Sequence, residues 1–311
     1  MKSAIRAEFR LLWRGYVLPI CLIVCALFAI ANVVNQIAEV HSDYSLVQHT
    51  RADYAANGMD FAADLAKPAK IVIHGDEQTV TNLARFDYDN EASAIVALSP
   101  ASSVTEALKY FGFIFFPALF FLLGLWMSTV QRRYHLEKIV IARKGTVTTV
   151  AARQIALLGA AVLTIATVIV VDLVCRAVAT AVTSRQLPFG AYPPLSPEPA
   201  DSPILQWALV LLVVLFFGGA GISVGAALGV FAIPAILFLI WDLVIPFLGP
   251  DDPRNWFVAM GHSVFDFTSG FQLAPADPLP LAIAVGGGVL GAAVLLALGY
   301  LCIRIRNPLA S

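Results

Sequence analysis

Charge is scarce in this sequence. Asp, Glu, Lys and Arg make up 13% of 311 residues against 59% apolar ones, and the mean hydropathy is +0.79. A water-soluble domain of this size cannot hide so much apolar surface in one core, so the composition excludes that class and leaves an integral membrane protein. Cysteine is scarce as well: Cys21, Cys25, Cys175 and Cys302 all lie in apolar runs. They offer neither a disulfide framework nor metal-ligand spacing, and each reads as a small hydrophobe. The GxxxxGK[ST] string of a P-loop is missing, as is HExxH, so no ATP hydrolysis through a P-loop and no zinc-protease chemistry is expected of this chain. No catalytic residue, resident cofactor, metal ion or nucleic-acid partner is expected.

What is present is a set of long apolar runs with few charges. A helix needs about 20 apolar residues to cross a bilayer core, and six runs qualify: 16–38, 104–130, 151–178, 204–226, 227–248 and 279–303. The fourth and fifth come from one uncharged stretch, Ile204 to Trp241, which must fold back on itself; the small residues of 218–229 are the expected turn. The fold class predicted is an all-α polytopic membrane protein with six transmembrane helices and a small α+β extracytoplasmic segment between the first and second. The first run is too long for a secretory signal and is expected to stay as an uncleaved anchor.

Basic residues orient the chain. Twelve of the 20 fall in the amino terminus, the 131–153 region and the tail 304–311, whereas 19 of the 21 acids fall elsewhere. The positive-inside rule then puts both termini in the cytoplasm, in a multi-pass protein of the plasma (inner) membrane. Residues 1–15 read as an interfacial amphipathic helix, with Lys2, Arg6, Arg10 and Arg14 opposite Ile5, Phe9, Leu12, Trp13 and Tyr16.

The cytosolic loop 131–150 has more than charge. Leu136, Ile139 and Val140 recur at the spacing of one helical face, with Arg132, Arg133, Lys138 and Lys144 largely elsewhere, and Gly145 interrupts the helix. Such a helix fits either membrane lipid or a groove on a partner protein.

On the other side, segment 39–103 carries ten acids against four basic residues. It is expected to form a small cap of helix with strands over 69–75 and 92–99. Ser103 and Glu106 fit a capping box opening the second span. The loop 179–203 is proline-rich and stiff, and 249–278 holds an apolar segment too short to cross, read as interfacial or re-entrant. Inside the spans, Asp172 and Arg176 stand four apart and are expected to pair, shared with Asp242. His41, Asp43, His49 and Asp53 read as a solvated face rather than metal ligands. Gly221, Gly225 and Gly229, with Gly287 and Gly291, offer close helix contact within the subunit or across a dimer.

Taken together, the amino-terminal helix, the six spans, the basic loop 131–150 and the partly re-entrant element at 254–268 resemble the permease subunit of an ABC-2 type ABC transporter. Glu137, Gly145-Thr146 and Arg153 resemble the acidic residue, Gly-Thr pair and basic residue that follow the second span in such permeases. The resemblance implies that 132–144 is a coupling helix, with Arg132, Arg133, Leu136, Glu137, Ile139, Val140, Arg143 and Gly145 meeting a cytosolic ATPase. It also implies a second permease copy, a dimer of ATPase subunits that holds ATP and Mg, and export of a hydrophobic or amphiphilic substrate. The competing expectation is a membrane sensor or assembly protein that binds a partner through 39–103.

Overall fold

The computed structural model describes residues 1–69, 71–74, 77–133, 137–194, 202–267, 273 and 276–306. Helix α1 (Lys2–Arg14) ends at a sharp elbow, Gly15-Tyr16, where Tyr16 takes a left-handed φ of 59°. Helix α2 (Val17–Ala56) then runs unbroken for 40 residues. No glycine or proline occurs between Pro19 and Gly58, so nothing stops the helix where the apolar run ends, and the expected boundary near residue 38 is not a break.

The cap follows. Helix α3 (Phe61–Leu65) is capped by the Asp60 carboxylate. Strands β1 (Ile71–His74) and β2 (Glu77–Val80) form an antiparallel hairpin with Ile71 opposite Val80. Helix α4 (Leu83–Leu98) is capped by Asn82 and ends just before Ser99-Pro100. The strand expected over 92–99 is therefore the end of α4: a short apolar run cannot be told from helix by periodicity, and its alanines favour helix.

Helix α5 (Ser103–Tyr110) passes through a π-helical turn at Phe111–Phe115 into α6 (Phe116–Arg133). Pro117 sits just past that wider turn and lacks the N–H a regular helix would use there. Short α7 (Glu137–Lys144) joins α8 (Thr146–Thr183) through Gly145, whose φ of 78° suits glycine. Then come α9 (Pro203–Leu228), α10 (Ala232–Leu243), α11 (Pro253–Val264) and α12 (Leu281–Arg306).

The protein is a multi-pass helical membrane protein. Among the described residues, five helical stretches are long and apolar enough to cross a bilayer: Val17–Ala56, Pro100–Arg133, Thr146–Thr183, Pro203–Leu228 and Leu281–Ile305. The stretch expected as a span over 227–248 holds a helix of only 12 residues, roughly 18 Å long. The turn before it is also displaced: residues 218–228 are helical, and the reversal falls at Gly229, whose φ is 75°.

Helix α9 is central, with 67% of its apolar window buried against 17% for α12. Glycines let it meet α6 backbone to backbone: a Cβ on Gly221 would overlap the Phe121 carbonyl, and one on Gly124 the Gly218 carbonyl. Gly287 and Gly291 receive Trp256 and Phe216, so these small-residue contacts lie within the subunit. Phe121 stacks on Phe238 at 3.8 Å and draws α10 against α6.

Candidate functional site

The end of the bundle that carries α3 and α4, here the cap end, contains a buried cluster of four charges. Asp172 and Arg176 lie one turn apart on α8, are both 0% exposed and form an ion pair. Arg176 also donates to the Ala97 carbonyl at the end of α4, and the Thr180 hydroxyl donates to Leu98 O at 3.0 Å. On α5, Glu106 pairs with Lys109 at 2.7 Å, and Lys109 donates to Asp266 O at 2.8 Å. Glu106 lies within electrostatic range of Asp172 and Arg176, so two ion pairs from two helices form one neutral group. Buried Gln206 of α9 accepts from Thr105 at 3.1 Å beside it. Burying four charges costs several kcal/mol per ion before pairing repays it, and ions inside a membrane protein mark function more often than fold.

The expected pairing of Asp172 with Arg176 is present, but Asp242 is not part of it. Asp242 lines a separate cavity of about 70 Å³ with Arg254, Phe217 and Phe257. Arg254 opens α11, pairs with Asp252 at 2.7 Å, stacks over Trp241 at 4.4 Å and donates to the carbonyls of Trp241, Ile245 and Pro246. It thereby satisfies carbonyls that the end of α10 leaves open. Glu106 likewise departs from expectation. Ser102, not Ser103, precedes the helix and makes no side-chain cap bond, so Glu106 is free to pair with Lys109.

The opposite, basic end holds a polar relay. Glu8 of α1 accepts from Gln131 of α6 at 2.8 Å, and Gln131 accepts from Arg153 of α8 at 3.0 Å. All three are buried. Helix α1 accordingly turns Ala4, Glu8 and Leu12 inward with Ile5 and Phe9 half-buried beside them, whereas Trp13 and, past the helix end, Tyr16 are exposed, so the inward face overlaps the apolar one but is rotated towards Glu8.

Of the coupling residues expected in 131–150, Arg132 donates to Ala226 O at 2.7 Å, at the end of α9, and Arg133 is exposed. Leu136 and the side chain of Glu137 lie outside the described residues. Ile139 is 51% exposed and Val140 half-buried, whereas Ile141 is buried against Val150, Ala226 and Ile303. Ile141 thus pins α7 to the bundle. Lys138, Ile139, Ala142 and Arg143 face outward together, and Gly145 supplies the bend. The spacing that marks Ile139 and Val140 contains no sign of Ile141, whose partners lie on α8, α9 and α12.

In the cap, no group of His, Cys, Asp and Glu able to hold a metal occurs among the described residues. Asp43 instead lies near Glu91 of α4, which is 0% exposed with neither carboxylate oxygen hydrogen-bonded. Burial, with the Asp43 charge adding to it, pushes the Glu91 carboxyl up to about 8. One turn earlier, Asp87 accepts from Thr50 at 2.5 Å and ties α4 to α2.

Gly221-Ile222-Ser223-Val224-Gly225 spells GxSxG, a hydrolase string when it forms a strand-to-helix elbow. Here it lies inside α9, and the Ser223 hydroxyl is directed at the carbonyls of Gly219 and Leu295, which makes it a helix contact between α9 and α12. No family model, curated protein or solved structure matches this chain.

Proposed function

We propose that this chain is the membrane-spanning permease subunit of an ATP-driven exporter of ABC-2 type, moving a hydrophobic or amphiphilic substrate out of the cytoplasm. In this reading the basic end is cytoplasmic and the cap lies outside. The fifth of the six spans, 227–248, is formed by α10 together with the apolar residues that follow it, and α12 is the sixth. ATP and Mg are bound by a separate ATPase dimer, and a second permease copy completes the assembly.

The observation that supports this reading is α7: a short helix fastened to the bundle by Ile141, with Ile139 exposed between Lys138 and Arg143. An apolar side chain ringed by cations and mounted on a rigid base suits a protein groove lined with acids. The relay from Glu8 through Gln131 to Arg153 then ties α1 to the spans on either side of that helix.

The test is co-purification with an ATPase encoded beside this gene. Ile139→Asp is expected to abolish association and transport while leaving thermal stability within about 0.5 kcal/mol, as for other exposed sites. Association and transport that survive both Ile139→Asp and Arg143→Glu would sink the proposal.

A further inference from the structure

Between α2 and α8 runs an open groove of about 480 Å³, within the range of small-molecule sites. Its floor is Val33, Ala179 and Thr183, all buried, and its ridges are Ile30, Val34, Val174, Val178 and Val182. Both helices run from the basic end to the cap end, and the groove's polar lining, His41 and Gln186 with Thr183, gathers at the cap-end mouth. From Ile30 to His41 the groove is roughly 17 Å long at helical rise.

We propose that this groove binds the acyl chain of a lipid-type amphiphile, chain along α2 and α8 and hydrogen-bonding head at His41 and Gln186. Two features favour a single chain over a partner helix. The ridges are branched and bulky, which holds a second helix away where small residues would admit it. The lining is polar at one end only, matching a molecule with one head and one tail. The site needs the membrane but not the ATPase, so it stands or falls apart from the export reading.

The experiment uses the full chain in lipid nanodiscs with a lysophospholipid carrying a diazirine in its tail, and peptide mapping after irradiation. Labelling is expected to concentrate on 30–37 and 174–182, to saturate, and to be competed by unlabelled lysophospholipid. Val178→Trp and Val34→Trp both change exposed ridge residues, so folding survives. Each is expected to cut groove labelling about tenfold, the effect of losing roughly 1.4 kcal/mol of binding. Labelling of the exposed α10 face at Ile236 and Leu237 is expected to stay unchanged. Equal, uncompeted labelling of the groove and α10, or saturable labelling that persists in both Trp variants, would overturn the proposal. So would disulfide-linked dimers of Val178→Cys in membranes, which would place a second copy in the groove.

Discussion

At the cap end, Asp172 and Arg176 pair within one turn of α8, whereas at the basic end Gln131 bridges Arg153 to Glu8 across three helices. The first arrangement travels with its helix: α8 can shift against its neighbours without separating the pair. The second depends on α1, α6 and α8 keeping their places to within a hydrogen bond. The ion pair at one end therefore survives helix movement even though Arg176 also reaches the Ala97 carbonyl of α4, while the relay at the other end does not.

That contrast can be broken from either side. The largest effect is expected for Asp172→Asn, which leaves Arg176 buried beside a neutral amide and is expected to cost about 3–5 kcal/mol in thermal or denaturant unfolding. Replacing both partners, Asp172→Leu with Arg176→Met, is expected to recover most of it. Gln131→Ala is expected to cost about 2 kcal/mol and to raise hydrogen exchange in α1 while leaving α4 unchanged. Exchange rising equally at both ends would show that the two networks are not independent.

Glu91 sharpens the comparison by pH. Its carboxyl is held near 8 in the fold against about 4.5 unfolded, so the native state keeps a proton that the unfolded chain has lost. Stability from this group is complete below about pH 4.5, declines as pH rises, and is gone above about 8. Glu91→Gln is expected to flatten that slope and to raise stability at pH 8 by up to about 4 kcal/mol, measured by unfolding across pH. A further effect is expected at Gly145→Ala. Among the described residues no atom lies within 4 Å of the added Cβ, so the penalty is that of the backbone, whose φ of 78° with ψ of 156° is a region essentially reserved for glycine, about 1–3 kcal/mol. Under the proposed export function, coupling to an ATPase that falls much further than stability would locate a hinge there.

The two ends also differ in how far they could be read in advance. Asp172 and Arg176 stand four apart in an apolar run, so their pairing is visible in the sequence. Glu106 carries an ambiguous signal, because Ser103 three residues before it and Lys109 three residues after it are both plausible partners by spacing; the turn at Pro100–Ser102 starts the helix and decides for Lys109. The relay is invisible, since its members lie 22 and 123 residues apart and the middle one is neutral. Depth alone groups Asp242 with a pair it lies apart from, because the tight chain path from α10 to Arg254 is set by side-chain-to-carbonyl bonds that leave no periodic trace. The long helices are legible because each follows from an apolar run; the shortness of α10 is not, because apolar composition continues past the point where the helix ends.

The unbroken α2 has a mechanical consequence. Forty residues of helix make a rod of roughly 60 Å, twice the thickness of a bilayer core, hinged at its lower end by the Tyr16 elbow. A tilt of about 5° at that elbow sweeps the far tip by roughly 5 Å for a rod of that length. Helix α4 is fastened to this rod through Thr50 and Asp87, so the cap is carried on the far end of α2, and any change of tilt at the elbow would be delivered to it enlarged by the length of the rod.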